Sequence, residues 1–226
     1  MWLPGALLRS RAFLVTASTI TVALAILAAS NPQWLARFDE PVSEWIRGDG
    51  TGEQLFRVVT QLGSPNLAVL VAAVGATAVW RRCRASALVL AALVSAAVTA
   101  DVLLKLVIDR PRPSGSLVNT ALGSFPSGHV MHAVTVFGFV PFLLWSVIGR
   151  RWVLRAGSAV FAAAVLTVAF SRVRLAAHWP SDVIVSFLIG VTLLAAAEQL
   201  VTSAWAAGRC RVPGLHPSST SNARDT

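Results

Sequence analysis

Residues 156–182 read AGSAVFAAAVLTVAFSRVRLAAHWPSD: fifteen residues without a charge, then two arginines, a histidine and an aspartate within twelve. A bilayer core of about 30 Å is crossed by a helix of about 20 apolar residues. The first part, extended back to residue 153, has the length and character of such a helix. The second part is where that helix leaves the oil. The fold then depends on how often this pattern recurs, and the function on what gathers at the polar ends.

The pattern recurs along the whole chain. Of its 226 residues 55% are hydrophobic and 13% charged, and the mean hydropathy is +0.68, values of an integral membrane protein. Six nearly charge-free segments have spanning length: residues 12–29, a stretch between Arg57 and Arg81, a segment from residue 85 that carries Asp101 and Lys105 near its far end, and residues 130–148, 153–170 and 183–207, the last broken only by Glu198. The first has 18 apolar residues, more than the 7–15 of a signal-peptide core, and is read as a span. No segment shows the ten-residue alternation of a barrel strand, and backbone polar groups in lipid must be satisfied internally, so helices are predicted. The expected fold is all-α, an integral membrane bundle of six transmembrane helices with an amphipathic loop on its outer face. Residues 1–11 form a cytoplasmic N-terminus, 12–208 the membrane domain with its outer loop at 31–64, and 209–226 a disordered cytoplasmic tail rich in Ser, Pro, Asn and Thr.

Arginines set the orientation. With both termini inside, eleven of the nineteen basic residues lie in cytoplasmic segments, whereas the outer face holds eight together with seven of the ten acids. Basic residues near span ends favour the cytoplasm. The net charge of +9 then reads as topology and contact with anionic lipid rather than nucleic-acid binding, since no basic run is interleaved with exposed aromatics. Cys83 and Cys210 fall on the cytoplasmic side and are expected as reduced thiols without a disulfide or metal role. In the outer loop, Phe38, Val42, Trp45 and Ile46 recur at helical spacing beside Asp39, Glu40 and Glu44, an amphipathic helix for the interface. After a turn at Gly48-Asp49-Gly50, Thr51 and Gln54 fit a capping box for a second short helix ending near Gly63. This loop reads either as a cover for the bundle or as a lid over lipid access.

Three outer helix ends carry chemistry. The third span leaves as KLVIDRPRP (105–113), the fourth begins as SFPSGHVMH (124–132), and the fifth exits as SRVRLAAHWPSD (171–182). The topology brings all three to one surface. Lys105, Arg112 and Arg172 offer cationic donors, and Arg presents a fork that matches phosphate oxygens. Ser127 and Gly128 open the fourth helix, where backbone N–H groups and the helix dipole favour an anion. His178 stands four residues before Asp182, with Pro180 as a helix start between them. The carboxylate is expected to accept one imidazole N–H and leave the other nitrogen as a nucleophile. His129 is placed as general acid for the leaving oxygen. Asp101 is expected to hold Lys105 at i,i+4. Arg110 and Arg174 read as rim charges, Asp109 as solvated, His132 as a residue behind the site, and His216 as part of the tail. The outer face has no Cys/His or multi-carboxylate cluster of metal-ligand type, so neither metal nor cofactor is expected.

These residues resemble a family. Lys105, six residues, then Arg112-Pro113; Pro126-Ser127-Gly128-His129; and Ser171-Arg172, five residues, His178, three residues, Asp182 together are similar to the three-part signature of the type 2 phosphatidic acid phosphatase (PAP2) superfamily, over roughly residues 35–200. The resemblance implies metal-independent hydrolysis of a phosphate ester through a phosphohistidine on His178, oriented by Asp182. His129 would protonate the leaving group, and Lys105, Arg112, Ser127, Gly128 and Arg172 would hold the phosphate. It further implies a lipid phosphate or diphosphate substrate: phosphatidic acid, phosphatidylglycerophosphate or undecaprenyl diphosphate. Heavy Arg and Ala usage with a single lysine fits a GC-rich bacterial genome and hence a bacterial plasma membrane, with the site facing outside. A vanadium-dependent haloperoxidase resembles the same motifs, but those relatives are soluble. A transporter would need polar groups through several spans, whereas here the cations gather at one interface. The expected partners are membrane lipids and no nucleic acid; the sequence sets no oligomeric state.

Overall fold

Among the described residues the chain is helical throughout, without strands. The structure, a computed structural model, describes residues 11–30, 32–47, 51–118 and 122–210. The residues before 11, the turn at 48–50 and the tail beyond 210 with His216 lie outside them. The helices are α1 (Arg11–Ser30), α2 (Pro32–Arg47), α3 (Glu53–Val59), α4 (Pro65–Trp80), α5 (Arg84–Val107), α6 (Gly128–Ile148), α7 (Arg151–Arg174) and α8 (Pro180–Ala206), with a 3-10 turn at Thr60–Gly63 between α3 and α4. Among the described residues, six helical stretches are long and apolar enough to cross a membrane: α1, the run Glu53–Trp80, and α5 to α8. These are the six spans expected, and the molecule is a multi-pass membrane bundle.

Helix α6 is the centre. Val130, Met131, Val134 and Phe139 are fully buried along it, whereas α5 and α7 turn Leu103, Leu106 and Leu166 outward, as helices facing hydrocarbon do. With α6 enclosed by its neighbours, its N-terminus opens into the bundle rather than into lipid, and the sequence FPSGH stands there. The Phe125–Pro126 peptide that leads into it is cis.

The connection between α1 and α4 differs from its expected form in two ways. Helix α2 is amphipathic, but its inward side is Leu35, Asp39 and Ser43, all buried, while Trp34, Phe38 and Trp45 are exposed. Asp39, expected at the polar surface, is therefore at the protein core. The start of α3 falls one residue beyond Thr51, the expected cap. The N-cap of α3 is Gly52 at φ 77°, without a side-chain cap, a left-handed conformation that suits glycine. Capping passes instead to Ser64, whose hydroxyl accepts the Leu67 N–H at 3.3 Å ahead of Pro65. Arg174, expected at the rim, is half-buried there. It donates to the carbonyls of Ile46 at 3.0 Å and Thr51 at 2.7 Å and lies over the Phe56 ring, joining the end of α7 to α2 and α3.

The opposite end corrects the cysteines. Cys83, the N-cap of α5, and Cys210, beyond α8, form a disulfide across 127 residues of sequence. Both are buried in an apolar cluster with Leu90, Phe142, Val201 and Trp205, where Trp205 stacks on Phe142 at 5.0 Å. The two chain segments meet because α5 and α8 pack side by side, which their separation in sequence conceals. The purified protein is expected to take up no maleimide until a reductant is added and two labels afterwards, read by intact mass. Labelling without reductant would contradict the pairing.

Candidate active site

The site is assembled where α5 ends, α6 begins, and α7 passes into α8. Lys105, one turn from the end of α5, is held by Asp101 at 2.6 Å, the expected i,i+4 pair. This pair lies directly under the first residue of α6. A Cβ at Gly128 would fall on the Asp101 carboxylate, so the glycine gives α6 room to start against α5. Gly63 meets α6 from the other side, where a Cβ would strike the His129 carbonyl. Its own carbonyl lies 3.2 Å from His132 Nδ1. A carbonyl only accepts, so Nδ1 carries the proton and His132 Nε2 is bare.

The two arginines are held by neutral groups. Arg112 donates to the carbonyls of Ala177, Leu122 and Gly123, and Arg172 donates to the Thr60 hydroxyl at 3.1 Å. Burial lowers the pKa of Arg112 from its ordinary value, while Asp182 and Asp101 raise it. The buried Nε atoms of both arginines, Ser127 Oγ and His132 Nε2 have no hydrogen-bond partner. Buried polar atoms are nearly always paired, and an exception points to a ligand or to a function. Three of these four atoms belong to residues expected to hold phosphate.

His178 is 1% exposed, and the structure corrects how it is held. Its Nδ1 lies 2.5 Å from the Ser124 carbonyl and 3.9 Å from Asp182. The carbonyl therefore takes the N–H that the carboxylate was expected to take, which leaves Nε2 unprotonated in the neutral ring. Burial first, then the positive charges of Arg172, Arg112 and Lys105, hold the His178 pKa well below its ordinary 6.5. Asp182 accepts from the Trp179 backbone N–H at 3.0 Å and from Arg110 at 2.5 Å. Arg110, expected at the rim, is buried, and its other terminal nitrogen meets Asp39 at 2.7 Å. The sequence reading missed Ser124, Thr60 and Asp39. Of these only Asp39 left a trace, as the acid between Leu35 and Ser43 on one helical face.

The geometry brings together Lys105, Arg112, Ser127, Gly128, Arg172, His178 and Asp182, with half-buried His129 on the first turn of α6. Such a set can bind an anion of phosphate type beside an unprotonated imidazole nitrogen. The fold and the site together define a membrane-embedded protein with a cluster of buried cationic side chains at one end of its bundle. A family model of the PAP2 superfamily matches residues 84–206, more than half of the chain, and the chain belongs to that superfamily. Among solved structures it is similar to the transmembrane PAP2 type phosphatidylglycerolphosphate phosphatase from Bacillus subtilis. The TM-score is 0.76 at 20% identity, over 84% of this chain and 96% of that one. No curated protein sequence matches the chain. Family membership supports a phosphatase, and the structural likeness supports its fold.

Two outcomes test this geometry. Gly128→Ala should lower folding stability by about 1–3 kcal/mol, the usual cost of overpacking, visible as a fall in the thermal midpoint in detergent; an unchanged midpoint would contradict the Asp101 contact. His178 should make stability depend on pH. The unfolded chain takes up a proton near pH 6.5 while the folded chain, with its lower pKa, does not. The contribution is therefore complete above pH 6.5 and is lost as pH falls toward the folded pKa, by up to about 1.4 kcal/mol per unit. Between pH 7.5 and 5.5, His178→Asn should lose stability less steeply than the wild type, and equal slopes would refute the assignment.

Proposed function

We propose that the protein hydrolyses a lipid phosphate or diphosphate, without a metal, through a phosphohistidine formed on His178 at the outer membrane–water interface. The observation that carries this reading is the Ser124 carbonyl on His178 Nδ1, which fixes the tautomer with Nε2 bare, next to arginines whose buried Nε donors have no protein acceptor. A phosphoryl group bound by Arg112, Arg172, Lys105, Ser127 and the first N–H groups of α6 would present phosphorus to that nitrogen.

In the first step the Nε2 lone pair forms the bond to phosphorus while the bond from phosphorus to the leaving oxygen breaks. His129 gives that oxygen its proton. The arriving phosphate favours this, because its negative charge beside His129 stabilises the imidazolium. In the second step water attacks phosphorus, the P–N bond breaks, His129 takes the water proton, and inorganic phosphate leaves. Asp182 and the surrounding backbone keep the ring oriented as it becomes cationic. The cationic lining is unfavourable for a divalent ion.

The lipid assignment draws on the place of the site, at span ends that an amphiphile reaches with its tail still in hydrocarbon. Phosphatidic acid, phosphatidylglycerophosphate and undecaprenyl diphosphate all fit this description. The name of the similar Bacillus structure gives phosphatidylglycerolphosphate as that protein's substrate. We further place the site outside a bacterial plasma membrane with both termini cytoplasmic. This orientation rests on the arginine distribution. The Cys83–Cys210 disulfide pulls the other way, since it lies on the face assigned to the cytoplasm, where disulfides are uncommon.

The deciding assay measures phosphate release from the three lipids by purified protein in excess EDTA. Turnover restored only by Mg²⁺ would refute the metal-free mechanism, and preference for a water-soluble ester would refute the lipid assignment. His178→Ala should abolish both turnover and the trapped phosphoenzyme. His129→Ala should lose about 10²–10⁴ in rate on lipid substrates and much less on p-nitrophenyl phosphate, whose leaving group needs no proton. Equal losses on both substrates would remove His129 from the role of acid.

A further inference from the structure

Asp39 is completely buried and belongs to α2, outside the stretch 84–206 matched by the family model. Its two oxygens are fully engaged with the start of α8. Oδ1 accepts the Ser181 backbone N–H at 2.8 Å, and Oδ2 accepts the Ser181 hydroxyl at 2.6 Å and Arg110 at 2.7 Å. An interfacial helix thus supplies the cap of the helix that carries Asp182, a task normally local in sequence. Arg110 completes the bridge, donating to Ser181 Oγ at 2.8 Å and to Asp182 at 2.5 Å, with its guanidinium over the Trp179 ring.

The charge count gives the arrangement its meaning. One guanidinium faces two carboxylates, all three buried, so Asp182 shares its cationic partner with Asp39. If Arg110 had Asp182 as its sole anionic partner, the pair would be neutral, and Asp182 would have little field left for the imidazole 3.9 Å away. With Asp39 sharing the guanidinium, Asp182 keeps part of its charge. That charge matters most when Nε2 bonds to phosphorus and the ring becomes cationic, a transition-state interaction rather than a binding one.

We propose that Asp39 is a positioning residue of the hydrolytic site: through Arg110 and Ser181 it fixes Asp182 beside His178 and takes a share of the guanidinium that would otherwise pair with Asp182 alone. This rests on the phosphatase reading above. It makes α2, whose opposite face exposes Trp34, Phe38 and Trp45, part of the site rather than a mere cover.

The test compares Asp39→Asn with Glu40→Gln, which removes the same charge from an exposed neighbour on the same helix. Turnover and KM on the best lipid phosphate, inhibition by the product inorganic phosphate, and the thermal midpoint are measured for each. Asp39→Asn should lose about 10- to 100-fold in kcat, the usual cost of removing a group that orients a site residue, with KM and phosphate inhibition within about threefold of wild type. Glu40→Gln should match the wild type. If Asp39→Asn does not fold, Arg110→Lys carries the same readings, because it keeps the charge but cannot span two carboxylates. Wild-type kcat in Asp39→Asn overturns the inference alone. A kcat loss matched by equal loss of inorganic phosphate binding overturns it too, in favour of a general structural role. A wild-type protein without phosphatase activity removes the reading of the site and this inference with it.

Discussion

Buried cations held by neutral acceptors are the constraint around which this molecule is arranged. Arg112 rests on the carbonyls of Ala177, Leu122 and Gly123, and Arg172 on the Thr60 hydroxyl. Dipoles satisfy some of their N–H groups but cancel none of their charge. A charge removed from water is costly unless it is paired, so an unneutralised arginine pair at a membrane surface is stable only where an anion arrives or where water reaches part of it. Carboxylates in the same positions would have closed the site. The acids present are kept in other pairings, Asp101 with Lys105 and Asp182 with Arg110.

That arrangement depends on the central helix. Because α6 is enclosed, its N-terminal N–H groups and Ser127 open into the bundle at the level where α5 ends and α7 turns. The Ser127 N–H is taken by the Ser186 hydroxyl at 2.6 Å, which in turn donates to the Asp182 carbonyl. The motif of α6 is thereby registered against that of α8. Ala177 and His178 both donate their N–H groups to the Arg172 carbonyl, so the turn from α7 into the histidine is fixed by the same residue that offers its guanidinium. The Thr60–Gly63 turn closes the remaining side through Thr60 and the Gly63 carbonyl.

The spans were legible because hydrocarbon thickness imposes a length and a composition that no single residue can disguise. The cationic residues and both histidines were legible because charge at the end of an apolar helix is costly and stands out. What the sequence concealed depends on packing between distant segments. The Asp39–Arg110 bridge joins residues 71 apart and the disulfide residues 127 apart, and no local spacing encodes either. The expected His178–Asp182 hydrogen bond failed for a local reason. Asp182 at N3 of α8 turns back to the Trp179 N–H, and a carboxylate engaged there and by Arg110 leaves His178 Nδ1 to the nearer Ser124 carbonyl. The N-cap of α3 likewise falls on Gly52, in a left-handed conformation that suits glycine, rather than on Thr51.

Replacing a carboxylate by a carbonyl on Nδ1 changes the chemistry available to His178. A carboxylate in direct contact would stabilise the imidazolium and raise the proton affinity of Nε2, so that in a membrane pocket the ring would hold its proton before substrate arrived. A neutral carbonyl fixes the same tautomer with less of that bias, and Lys105, Arg112 and Arg172 press further toward the neutral ring. The carboxylate at 3.9 Å then acts mainly when positive charge develops. Orientation and charge compensation, often assigned to one residue, are divided here between Ser124 and Asp182. In the mechanism proposed above, this division leaves the nitrogen bare in the resting state and supports it as the bond to phosphorus forms.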